Sequence, residues 1–166
     1  MRKKFEINMI KWLYFFGIGS FILLVNKPLA KDWLLVFFIK SYYASLVDKL
    51  VVYKGYVEYP TRFPKRVKTS VLFDYILFPI TCVFYNQITK DSPILQCLIK
   101  VLYLSVPLTL IELWLEKNTQ LVKYKRGWNG STTFYSLSFS FLVVRFSMYV
   151  IRRLFDNQKR PNHPTL

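Results

Sequence analysis

Five long apolar stretches, set apart by short basic segments, constrain this chain more than any other feature. A helix needs about 20 mostly apolar residues to cross the hydrocarbon of a bilayer. The stretches 7–25, 33–52, 71–88, 93–115 and 132–151 meet or approach that length. Backbone polar groups in lipid must be satisfied within their own segment, so each stretch is expected to be a helix. The fold class that follows is an all-α integral membrane bundle of about five transmembrane helices. It forms one domain over 1–155 with a polar tail at 156–166. A four-helix version arises if one stretch is half inserted or the first is removed. The first is short and follows Arg2, Lys3 and Lys4, so a signal peptide is its competing reading. Cleavage after Ala30 would put Pro28 where a small residue is wanted, which favours a retained anchor.

Composition agrees with burial in lipid. Apolar residues make up 53% of the 166 and aromatics 19%, more aromatic side chains than a small soluble interior would hold. Against nine acids stand 24 bases, for a net charge of +15. These bases cluster between apolar runs, the pattern of loops held at anionic lipid headgroups rather than of a nucleic-acid-binding face. Membrane lipids are therefore the expected partner of that charge, and no nucleic acid is expected. The N-terminus and the second and fourth loops hold twelve Lys and Arg, the other loops and the C-terminus seven. By the positive-inside bias the N-terminus is cytoplasmic. The four bases toward the C-terminus (Arg152, Arg153, Lys159, Arg160) pull the other way and leave the side of the C-terminus open. In the second loop, YKGYVEYPTRFPKRVKTS, aromatic and basic residues alternate, as in a strap lying at headgroup depth. Cys82 and Cys97 read as small buried hydrophobes. The single His163 sits in the polar tail, and no cofactor or metal is expected.

Six ionisable residues inside the spans are the candidate sites, because charge at that depth is costly and often functional. At about 1.5 Å per residue, Asp48, Asp74 and Glu112 fall roughly 5 to 8 Å inside one membrane face. Lys40, Lys100 and Arg145 fall roughly 9 to 11 Å from the other. The acids are expected either to pair with loop bases such as Lys68 and Lys117 or to gather as a cation or proton site. The bases either snorkel along their aliphatic stems or meet at an anion or lipid phosphate. Polar stripes support close packing: Ser41, Ala44, Ser45 and Asp48; Asp74, Thr81 and Tyr85; Ser105, Thr109, Glu112 and Glu116. These are expected to face one another, since lipid would leave them unsatisfied. Pro79 and Pro107 are expected to kink their helices.

The segment after Glu112 ends in Gly127, Trp128 and Asn129, a candidate turn and interface motif. Gly127 and the Asn129–Gly130 pair suit a tight turn, and Trp128 suits the headgroup belt. The span FDYILFP, with Asp74 and Pro79, and the run IELWLEKNTQLVKYKRGWN, with Glu112, Leu121, Tyr124, Gly127, Trp128 and Asn129, precede a Ser/Phe-rich span containing Arg145. Across roughly residues 30 to 155 this pattern resembles a family of small multi-spanning membrane proteins of endospore-forming bacteria. The resemblance implies an all-helical fold and a bacterial cytoplasmic membrane location, and it carries no biochemical activity with it.

Three functional classes follow. The first is a non-enzymatic accessory or assembly partner in the membrane, acting with another membrane protein or as a homo-oligomer. The second is a small ion- or proton-coupled carrier or channel subunit using the charge layers. The third is a lipid-modifying enzyme with Asp74 or Glu112 as general base. No nucleophile, metal or phosphate-binding motif accompanies those acids in the sequence, so a non-enzymatic role is the expectation.

Overall fold

The computed structural model describes residues 2–26, 28–61 and 70–158. Within them the protein is all-α apart from one short strand pair. In order come α1 (Arg2–Val25), α2 (Ala30–Tyr53), β1 (Val57–Glu58), a π-helical turn (Phe73–Leu77), α3 (Phe78–Ile88), α4 (Ile94–Asn118), β2 (Lys123–Tyr124) and α5 (Gly130–Gln158). Each expected apolar stretch is a helix, and α1, α4 and α5 run further than their grease. Helical hydrogen bonding continues into polar sequence wherever nothing breaks it. The segment expected as a tail therefore begins as the last turn of α5. Its remainder, 159–166, and most of the basic part of the second loop, 62–69, with Arg62, Lys65, Arg66 and Lys68, lie outside the described residues.

Three of the helices, over Lys4–Val25, Ile94–Asn118 and Gly130–Phe155, are long and apolar enough to cross a membrane. Helix α2 has the length, but Lys31, Asp32, Lys40, Asp48 and Lys49 lower its hydropathy. The helix from 71 to 88 is divided by its π turn.

Contacts at the two ends fix an up-and-down order. At one end, β1 and β2 pair antiparallel, Val57 opposite Tyr124 and Glu58 opposite Lys123. Around them, Lys125 N–H donates to Tyr56 O and Thr61 N–H to Gln120 O, both at 2.7 Å. The first turns of α1 join the same end: Glu6 accepts from Thr61 Oγ1 at 2.8 Å and from Gln120 N–H at 3.0 Å. At the other end, Gln87 donates to Leu24 O at 3.0 Å and Arg152 pairs with Asp32 at 2.8 Å. Successive helices therefore run in opposite directions.

Two apolar clusters fill the interior. One gathers Trp33, Val36, Cys82, Tyr85, Phe141 and Met148; the other gathers Ile10, Val57, Tyr59, Phe73, Leu115 and Val122 near the strand pair. Both cysteines are buried and free, as small hydrophobes. Helix α2 packs on α3 and α5, whereas α4 packs chiefly along α5. Gly130 lets α4 and α5 close together, since a Cβ there would lie 2.8 Å from Leu113 Cδ1.

This packing revises the expected meeting of three polar stripes. Ser45 faces the π turn, accepting from the Tyr75 hydroxyl at 2.7 Å. Thr109 instead lies against the start of α5, beside Gly130 and Phe134. Small and hydroxylated residues on α5 let that helix insert between α2 and α4, so the α4 stripe meets α5 first. Pro79 falls in the first turn of α3, where its missing N–H costs least. The helix relieves it by a π turn, in which Phe78 N–H reaches back to Phe73 O. Helix α4 continues through Pro107.

Candidate functional site

Asp48, Asp74 and Glu112 line one chamber of about 250 Å³ between α2 and α5. Asp48 enters from the last turns of α2, Asp74 from the π turn, and Glu112 from the far side of α5 on α4. The π turn carries one more residue per turn than an α-helix, and this local widening sets where Asp74 points. Asp74 is 2% exposed and borders the chamber.

Two of the acids have hydroxyl partners. The Tyr59 hydroxyl donates to Asp48 Oδ1 at 2.6 Å. Asp48 and Asp74 lie side by side, and Asp48 Oδ2 and Asp74 Oδ2 are buried with no hydrogen-bond partner. Glu112 Oε1 accepts from Tyr124 at 2.9 Å and from Thr133 at 3.2 Å. Thr133 Oγ1 also receives the Trp128 indole N–H at 3.0 Å. Hydroxyls thus hold Asp48 and Glu112, where the sequence offered loop lysines as one alternative. Of those, Lys68 lies outside the described residues. Burial, reinforced by the neighbouring carboxylates, pushes the Tyr59 phenol well above its ordinary value. Burial first, and then the charge of Glu112, push the Tyr124 phenol upward as well. Both hydroxyls therefore remain donors at neutral pH.

The candidate cations separate. Lys40, only 2% exposed, borders the chamber. Its Nζ donates to Ser140 Oγ at 2.6 Å and lies 5.3 Å from the Phe141 ring centre. Lys100 and Arg145 instead cap the end of α3. Lys100 Nζ donates to Ile88 O at 2.8 Å and Arg145 Nη2 to Lys90 O at 2.8 Å, and Arg145 also reaches Thr89 O. Cations at a helix C-terminus satisfy orphan carbonyls and suit the macrodipole. The three bases thus do not meet at one anion site: Lys40 borders the chamber with the acids, while Lys100 and Arg145 cap α3.

In the Gly127–Trp128–Asn129 motif the turn lies one step earlier than expected. Arg126 and Gly127 carry the positive φ values, 49° and 81°. Asn129 is the helix cap: its Oδ1 accepts from Thr132 N–H at 2.9 Å, the usual use of Asn at that position. Trp128 forms part of the chamber wall and packs on Tyr56, ring centres 6.0 Å apart.

Sequence reading missed Tyr59, Tyr124, Thr133 and Ser140 as partners of the charges. Tyrosines and serines are too numerous here to single out, and their partners lie on other elements. The chamber opens on the flank of the bundle, where its lining residues Tyr43, Val47 and Phe139 are 40%, 41% and 71% exposed. Among the described residues, no three His, Cys, Asp or Glu side chains are grouped closely enough to hold a metal ion. No family model, curated protein or solved structure matches the chain, so the reading of this chamber rests on its own geometry.

Proposed function

We propose that the chain is a five-span protein of the bacterial cytoplasmic membrane, N-terminus inside, acting as a non-enzymatic accessory or assembly partner. The alternating helices and their apolar outer faces support the five crossings. Trp12, Leu23, Ile94, Tyr103, Leu110, Phe139 and Phe146 are all more than half exposed, a surface far more apolar than water tolerates on a monomer. In this reading the charges of α2 are carried across by neighbours: Asp32 by Arg152, Lys40 by Ser140, and Asp48 by Tyr59. The resemblance to membrane proteins of endospore-forming bacteria supports the location.

The observation that carries the accessory role is the cross-bracing of the loops. Tyr59 and Tyr124, from two different loops, hold Asp48 and Glu112, while β1 and β2 join those loops. Such bracing suits a fixed platform at one membrane face. A carrier is the second reading, favoured by the Asp48–Asp74 contact in a chamber that also holds Lys40. Proteoliposome flux separates the two. A platform gives no protein-dependent proton or cation movement; a carrier gives movement that Asp74→Asn abolishes. Labelling of cysteines placed in each loop tests the five crossings.

A further inference from the structure

The chamber has the makings of a ligand site. It is enclosed on most sides, yet opens laterally between α2 and α5 past Tyr43, Val47 and Phe139. Its walls are mostly apolar, with Phe73, Phe78 and Trp128 among them. Asp74 combines near-complete burial with an oxygen that no donor reaches. A buried carboxylate oxygen left bare is costly and marks where a further donor or positive charge is missing.

Charge narrows the ligand. Asp48, Asp74 and Glu112 face one ammonium, that of Lys40. Three carboxyl groups thus line the chamber against one lysine, so acids outnumber bases in its wall. Among the described residues no three such acids are grouped closely enough to hold a metal ion, and the apolar walls suit a cation that carries alkyl substituents. Aromatic faces beside carboxylates attract ammonium groups, whose alkyl substituents also bury well against apolar walls. An anion would meet three carboxyls, and a neutral apolar molecule would leave Asp74 unpartnered.

We propose that the chamber between α2 and α5 binds an organic ammonium, its head against Asp74 and Glu112 and its apolar body toward the flank opening. This rests on the reading of the bundle as membrane-embedded, but requires neither transport nor a protein partner. The ammonium can belong to a free amine or to an amine-bearing lipid headgroup, since the lateral opening admits either.

The test is calorimetric titration of the full chain in phosphatidylglycerol nanodiscs with benzyltrimethylammonium, with empty discs subtracted. Benzyl alcohol and benzenesulfonate serve as the neutral and anionic controls. Saturable one-to-one binding of the ammonium alone is expected. Asp74→Asn and Glu112→Gln should each weaken it about tenfold or more, and Glu58→Gln, an exposed residue paired with Lys125, should leave it unchanged. Val47→Trp should also abolish binding by filling the opening without touching a carboxyl, which guards against misfolding of the acid variants. Adding phosphatidylethanolamine to the discs identifies the source: competition points to a lipid headgroup, no competition to a free amine. Equal binding of the controls, displacement by sodium or potassium alone, or full affinity in Asp74→Asn and Val47→Trp would overturn the proposal. Because binding is read without flux or partner capture, failure of either of those leaves this result interpretable.

Discussion

The Tyr124 hydroxyl donates to Glu112 Oε1 at 2.9 Å, folding the loop after α4 back onto the acid that lies three residues before the helix reaches Leu115. This contact explains why a carboxylate stands so near the end of an apolar helix. Glu112 ties α4, the loop and, through Thr133, the first turn of α5. Tyr124→Phe removes one donor from the carboxylate and should lower stability by about 1.5 kcal/mol. Denaturant unfolding of the purified protein in detergent measures it, and an unchanged midpoint would show that the contact is not made.

Tyrosine ionisation gives a second expectation. Burial raises the phenols of Tyr59 and Tyr124, so folding favours their protonated forms. Their contribution to stability is whole below the ordinary tyrosine value of about 10 and is lost as pH climbs through the raised values. In a spectrophotometric titration, exposed tyrosines should ionise near that ordinary value while these two remain phenols. Tyr59→Phe and Tyr124→Phe should therefore leave the early part of the titration unaltered.

Glu6 anchors the first helix to the loops. It is 2% exposed and receives both the Thr61 hydroxyl and the Gln120 N–H. Glu6→Ala strips two donors of a charged acceptor and should cost about 3 kcal/mol. Glu6→Gln keeps an acceptor oxygen and should cost less. Limited proteolysis within the second and fourth loops should quicken in the alanine variant first.

Helices and their alternation were legible because apolar length is a strong signal, and residue counting put Asp48, Asp74 and Glu112 at one level, from which all three line the chamber. That depth follows from counting residues along antiparallel helices. What lies opposite each acid was not legible. The α2–α5 contact depends on which helices become neighbours, and apolar spans of similar composition do not encode it at fixed spacing. The π turn before Pro79 was equally hidden: proline predicts a disturbed helix, not which way the helix absorbs it. Lys40 illustrates the same limit. Its depth grouped it with Lys100 and Arg145, while its azimuth on α2 turns it toward the acids.

Close approach of α1 to the π turn makes a fourth prediction. A Cβ at Gly17 would overlap Ile76 Cγ2, a branched methyl with little freedom to move. Gly17→Ala should destabilise the bundle by about 1 to 3 kcal/mol through overpacking. Ile76→Ala removes the methyl, so the double variant should recover part of that loss. Additive effects of the two changes would mean the helices do not touch there.

Convergence of the acids is tested most directly by disulfide trapping in a Cys82→Ala, Cys97→Ala background. Cysteines replacing Asp48 and Asp74 should form an intramolecular disulfide under mild oxidation in native membranes, because those side chains lie side by side in the chamber wall. Cysteines replacing Ser45 and Thr109 should not, because α5 lies between their helices. Efficient trapping of the second pair with none of the first would contradict the chamber and the helix order that builds it.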